Sequence, residues 1–345
     1  MDGNSKEIVK VAPQVKYEEI SALSFSHPAD RAAAAAIKSV PMLDTVVKRL
    51  SEWTYERRLR QILLGQAVRI DSAQLPAVFL LQKRSAEILD VEKIPTLYVT
   101  QFPVGNAMTI GAKEPTTLLM SSIVTDYEEN ELLSVLGHEM GHVLAEHVSL
   151  STAMELMRMM LTGILRGQPL ARIPLNAIYY ALLEWSRAAE LTADRAAALV
   201  VDDPLVVCKT LMRIAGGPVK DMNLEAFISQ ATEYDEEEDL MKRWSRFGQE
   251  IGATHPFPVR RVRELVSWVS SGEFDRIRSG SYVRRGHDTA PSNEFNTAFQ
   301  HYKSQFTSAV DKAGTGIQTI LEKISGWLDV KDRDEGDPSL FEEDL

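Results

Sequence analysis

The sequence predicts an α+β fold, mostly helical, with a small antiparallel sheet beside one central helix. Three features point there. The run GHEMGHVLAEHV, Gly137 to Val148, lies in a segment whose Leu132, Leu133, Val135, Leu136, Val143 and Leu144 recur at helical spacing. Just before it, TLYVTQ, NAMTIGA and TTLLMSSIV are short, β-branched and separated by Pro103-Val104-Gly105 and Glu114-Pro115. Most of the remaining chain carries helical periodicity.

Composition sets the outer bounds. The 345 residues are 44% hydrophobic, ample for a core. A net charge of −11 supplies no basic stripe for phosphates, which argues against nucleic acid. Cys208 is the single cysteine, so no intrachain disulfide forms, and a reducing compartment suits it. Its apolar helical surroundings make it a core residue rather than a nucleophile. Residues 1–20 show no apolar signal segment, and a cytoplasmic location is expected.

The elements follow in order. Residues 1–95 form an N-terminal helical region, a lid or scaffold. Its helices are expected at Pro28–Ile37, from Leu43 to about Gln66 with Val46, Val47, Leu50, Trp53, Leu59, Ile62 and Leu63 on one broad face, and at Gln74–Leu89. Residues 96–283 form the catalytic domain. The three short segments make its sheet, one edge of which is free to pair with an extended peptide. Asp126 with Glu129 is a candidate capping box for the central helix.

In that helix His138, Glu139 and His142 make H-E-x-x-H. Histidines four apart share a helix face and can reach one metal ion. Glu139 then points a carboxylate beside the ion, where it can take a proton from a water that the metal activates. A catalytic zinc needs a third protein ligand. His147 lies about 140° and 180° round the helix from His142 and His138. No glycine stands between His142 and His147 to break the helix, so His147 is expected to be structural or exposed. Downstream, EWSRAAELTADRAAALV places Glu190 and Asp194 on one helical face. Glu190 is the candidate third ligand, and Asp194 would accept the free N–H of a ligand histidine. Arg187 and Arg195 leave a plain salt-bridge role open for the pair.

HEMGH, SRAAELTAD and THPFPVRR, in this order, resemble the zinc metallopeptidases that include the HtpX heat-shock peptidases and the CAAX prenyl endopeptidases. LYVTQFPVGNAMTIG is similar to that family's edge strand with its Asn-Ala pair, here Asn106 and Ala107. The family carries Phe after this pair; this chain has Met108. The resemblance covers about Thr96 to Leu265. It implies a zincin-like fold of the gluzincin type, one Zn2+ held by His138, His142 and Glu190, and hydrolysis of peptide or protein substrates, with protein quality control as a role. It places His255 and Arg261 near the active centre, where they would stabilise the oxyanion. The competing expectation is a zinc-stabilised chaperone-like or binding module without turnover. Glu139 argues against it, because a closed structural site needs no base.

Membrane relatives place spanning helices between Ala153 and Trp185. Here Glu155, Arg158, Arg166, Pro169 and Arg172 cut the apolar runs short of the roughly 18 residues needed. No integral membrane insertion is expected. Met154, Met157, Met159 and Met160 offer either core packing or a soft surface for peripheral contact. The acidic run Glu233–Asp239 reads as a solvated loop or helix end, and Thr254 with Pro256 as a helix start. Residues 284–328 hold a linker and an amphipathic helix with Phe295, Phe299, Tyr302, Phe306 and Ile317 on one stripe. That stripe must cover something: this chain, near its cleft, or a second copy in a homo-oligomer. Residues 329–345 are an acidic tail.

Overall fold

The structure, a computed structural model, describes residues 15–40, 45, 55–101, 106–111, 114–162, 169–217, 220–238, 256–287 and 293–313. Its elements run α1 (Pro28–Ser39), α2 (Tyr55–Gln66), β1 (Val68–Ile70), α3 (Pro76–Ile88), β2 (Thr96–Thr100), β3 (Ala107–Ile110), β4 (Thr116–Met120), α4 (Ser121–Asp126), α5 (Glu129–Leu144) and α6 (Val148–Thr162). Then follow α7 (Pro169–Val201), α8 (Pro204–Gly216), α9 (Leu224–Glu238), α10 (Pro258–Ser270), α11 (Glu273–Arg278) and α12 (Asn293–Ala313). The fold is α+β and mostly helical.

The sheet is mixed, which corrects the antiparallel expectation. Its order is β1-β2-β4-β3; β2 and β4 run parallel, and the outer pairs run antiparallel. The reason is that β3 folds back outside β4 instead of between β2 and β4. Strand β1 has three residues, too few to show an alternating pattern. Ser121 to Val124, expected to extend β4, instead open α4.

The start of α5 is shifted by two residues from the expected box. Asp126 ends α4, and Glu128 is the N-cap; its side chain accepts from the backbone N–H of Glu131, and its own N–H donates to Glu131 Oε2 at 2.9 Å. The helix buries Leu132, Leu133, Val135, Leu136 and Met140 in a core shared with the sheet, with α3 and with Tyr17, Ile20 and Phe25.

Helix α7 is pressed close to α5 because α5 carries glycine where they cross. A Cβ on Gly141 would lie 2.6 Å from Ala196 Cβ and 3.2 Å from Ala193 Cα. One on Gly137 would lie 2.8 Å from Val200 Cβ. Glycine on one helix and alanine or valine on the other bring the two backbones into close contact. The C-terminal half of α7, Ala196 to Val200, belongs to the first core. Its N-terminal half, with Leu182, Leu183 and Trp185, belongs to a second core built with α1, α6 and α12. The metal-site candidates stand where α7 passes from one core to the other.

Several expectations are resolved here. Met154 and Met157 are buried in the second core, and Met159 and Met160 pack against it. Cys208 is buried in the first, and burial pushes its thiol up to about 12. Ile62 is 52% exposed while Leu63 is buried, so α2 does not turn both to one face; Val46, Val47, Leu50 and Trp53 lie outside the described residues. Tyr302 and Phe306 of α12 pack on α1 and α7 of this same chain, and Ile317 lies outside the described residues. Among the described residues no helix is long and apolar enough to cross a membrane.

Candidate active site

Helix α5 presents His138, Glu139 and His142, and α7 presents Glu190 and Asp194. The two His Nε2 atoms lie 3.2 Å apart. Glu190 Oε1 is 3.4 Å from His142 Nε2, and Oε2 is 3.5 Å from His138 Nε2. Ligand bonds of about 2.0–2.2 Å in a tetrahedron leave donor atoms about 3.3–3.6 Å apart. The triad therefore has the spacing of three ligands around one small cation.

Charge points the same way. Glu139, Glu190 and Asp194 are each no more than 5% exposed, and among the described residues Arg261 is paired with Glu190 and Asp194. Such a concentration of buried carboxylates is one that a bound cation would balance. The imidazole of His138 shows the same demand. Burial lowers its pKa, but Asp194 and Glu190 outweigh burial and raise it to about 9. His142 is lowered, chiefly by burial.

Asp194 Oδ1 lies 3.1 Å from His138 Nδ1. A carboxylate only accepts, so Nδ1 carries a proton, and it is the Nε2 proton, on the side of Glu190 and His142, that a metal ion would displace. Arg261 of α10 grips Asp194 with two bonds, Nε to Oδ2 at 2.8 Å and Nη2 to Oδ1 at 2.6 Å. Its Nη1 lies 3.2 Å from Glu190 Oε2. Burial would raise the pKa of Asp194, but the Arg261 charge and these bonds hold it below the usual range. Arg261 was expected to face an oxyanion; it is instead turned onto two buried carboxylates that need a counter-charge.

Glu139 has a partner that the sequence did not reveal. Thr109 of β3 donates to Glu139 Oε2 at 2.6 Å, and the Thr109 and Thr117 hydroxyls are 2.8 Å apart. Alternation along β3 was the available signal, since Thr109 lies one step of two from Ala107. Asn106, Ala107, His138, Glu139, Glu190, Asp194 and Arg261 all border a cleft of about 380 Å³. Val207, Leu211 and Ile214 of α8 and Phe257 complete its wall. No described residue of α12 lines it. His255 and Thr254 lie outside the described residues; α10 starts with Phe257 at the N-cap and Pro258 in its first turn.

His147 is structural, as expected, and outside the triad, but the helix does not run on to it. Helix α5 does end, at Leu144, with Glu146 left-handed at φ 59°. The N–H of Glu146 bonds the Val143 carbonyl and that of His147 the His142 carbonyl at 3.0 Å. This is a Schellman ending, built without glycine. It returns His147, buried, to the side of His142, with the two Nδ1 atoms 2.9 Å apart.

The chain matches the model of peptidase family M48 over residues 72–269. It is 36% identical over 277 residues to the plastoglobule-localized metallopeptidase 48, chloroplastic, of Arabidopsis thaliana, covering 78% of this chain and 79% of that protein. No solved structure gives a significant match.

Proposed function

The chain belongs to peptidase family M48, a family of metal-dependent peptidases, and from that premise we propose that it is a zinc endopeptidase with Glu139 as general base. One observation carries this most: the His138–His142–Glu190 triad stands at ligand spacing with the Glu139 carboxylate, fixed by Thr109, beside it.

Zinc, when bound, would supply a Lewis acid for the scissile carbonyl and a water of lowered pKa. The remaining work belongs to side chains. The Thr109 hydroxyl holds Oε2 of Glu139, which leaves Oε1 to accept the proton of the attacking water and pass it to the departing amine. Asp194 fixes the tautomer of His138, and Arg261 holds Asp194 and Glu190 in place. An extended peptide would pair with the outer edge of β3, which ends the sheet among the described strands, beside Asn106 and Ala107. The wall of Val207, Leu211, Ile214 and Phe257 favours an apolar substrate side chain next to the metal. His255 keeps its proposed place as an oxyanion donor, supported by Pro256 and Phe257, its immediate neighbours, lining the cleft.

For location, a cytoplasmic placement and the chloroplast of the relative's name stand as two proposals that fractionation separates.

Glu139→Gln tests the assignment. It keeps shape and zinc but cannot accept a proton, so peptide cleavage should fall roughly 10²–10⁴-fold or more. Cleavage near the wild-type rate, with zinc bound, would remove Glu139 from the chemistry.

A further inference from the structure

We infer that helix α1 supplies a positioning residue to the metal centre: Asp30, acting through His147, fixes the proton and the ring orientation of His142. This rests on the proposed role of His142 as a ligand. Asp30 is 3% exposed, set on the apolar face of an alanine-rich helix with Ala33 and Ile37. Its carboxylate is fully engaged. Trp185 Nε1 donates to Oδ1 at 3.1 Å, Thr192 Oγ1 donates to Oδ2 at 2.7 Å, and His147 Nε2 lies 3.0 Å from Oδ2.

The proton pattern follows from donors and acceptors alone. Trp185 Nε1 donates to one oxygen of Asp30 and Thr192 Oγ1 to the other, so the group stands as an acceptor toward His147 as well. His147 must therefore carry its proton on Nε2. In the neutral ring its Nδ1 is then a bare lone pair, 2.9 Å from His142 Nδ1. For that contact to be a hydrogen bond, His142 must donate from Nδ1. Its Nε2 is left as a lone pair, facing His138 Nε2 at 3.2 Å. Geometry clamps the relay as well. The backbone bond of the Schellman ending ties His147 to His142, and the Trp185 ring meets His147 edge-on at 5.6 Å.

A plain structural tie between α1 and α7 would need only the Trp185 and Thr192 bonds. The third bond makes Asp30 specific, since it alone decides which nitrogen of His147 is bare. Asp30 stands outside residues 72–269, so the matched segment holds the ligand triad without this support.

The test uses the full chain. In zinc-loaded wild-type protein, ¹⁵N NMR of the imidazoles should show His147 protonated on Nε2 and bare on Nδ1; a proton on His147 Nδ1 overturns the inference without any mutation. Asp30→Asn should weaken zinc binding about 10–100-fold in competition with a chromophoric chelator, in protein that remains folded. In a His147→Gln background the same substitution should cost nothing further. Wild-type affinity in Asp30→Asn, or an equal loss in both backgrounds, would make Asp30 a structural tie and overturn the relay. A wild-type chain that takes up no zinc removes the metal centre and this inference together; zinc uptake with the wrong tautomer removes this inference alone.

Discussion

The two histidines of the site are braced from opposite sides and by different chemistry. His138 leans on Asp194, and Asp194 is neutralised by Arg261. His142 contacts His147, and His147 contacts Asp30, whose other partners, Trp185 and Thr192, are neutral. The first brace is short, built on the same helix face as Glu190, and finished by an ion pair. The second crosses from α5 to α1 and is anchored in the other core. An ion pair and a carboxylate held by neutral donors fail differently when cut, and that difference can be measured.

The largest effect should come from the first brace. Arg261→Met leaves Asp194 and Glu190 buried without their cation, and breaking such a pair costs about 3–5 kcal/mol. Urea unfolding of the metal-free chain reads this directly. A loss below about 1 kcal/mol would mean that the guanidinium is not the counter-charge. Next comes a change that strikes both braces at once. Gly141→Ala puts a methyl 2.6 Å from Ala196 Cβ and 3.2 Å from the α7 backbone, so the helices must part. A loss of about 1–3 kcal/mol is expected, with weaker zinc binding; unchanged affinity would show that ligand spacing tolerates helix separation.

The smallest effect belongs to the second brace alone. Glu146 pays for its left-handed backbone, and a β-branched residue fits there worst. Glu146→Val should be less stable than Glu146→Gly by about 1–2 kcal/mol in thermal or chemical unfolding. Equal stability would mean that the Schellman turn is not what holds His147.

This asymmetry also explains what could be read from the sequence. H-E-x-x-H and E-x-x-x-D are helical spacings, so His138, His142, Glu190 and Asp194 were legible because each pair is local. Their meeting depends on Gly137 and Gly141 facing Ala193, Ala196 and Val200, a pattern present in the sequence but meaningless until the helices are paired. The helix end before His147 was not legible because the left-handed residue that turns the chain is a glutamate. Asp30 was invisible, 117 residues from its partner, although an acid on the apolar face of α1 was a signal. The sheet order likewise depends on where β3 lies, which period-two patterns do not encode.

The central claim is that His138, His142 and Glu190 together hold one metal ion. Zinc bound per chain in two alanine variants tests it most directly. Wild-type protein and Glu184→Ala should each retain about one zinc after dialysis, as a three-ligand catalytic site implies, while Glu190→Ala should retain little. Glu184 is on the same helix but outside the triad, so it controls for charge and folding. Equal zinc in the two variants, both folded, would contradict the assignment of Glu190 and with it the metal centre described above.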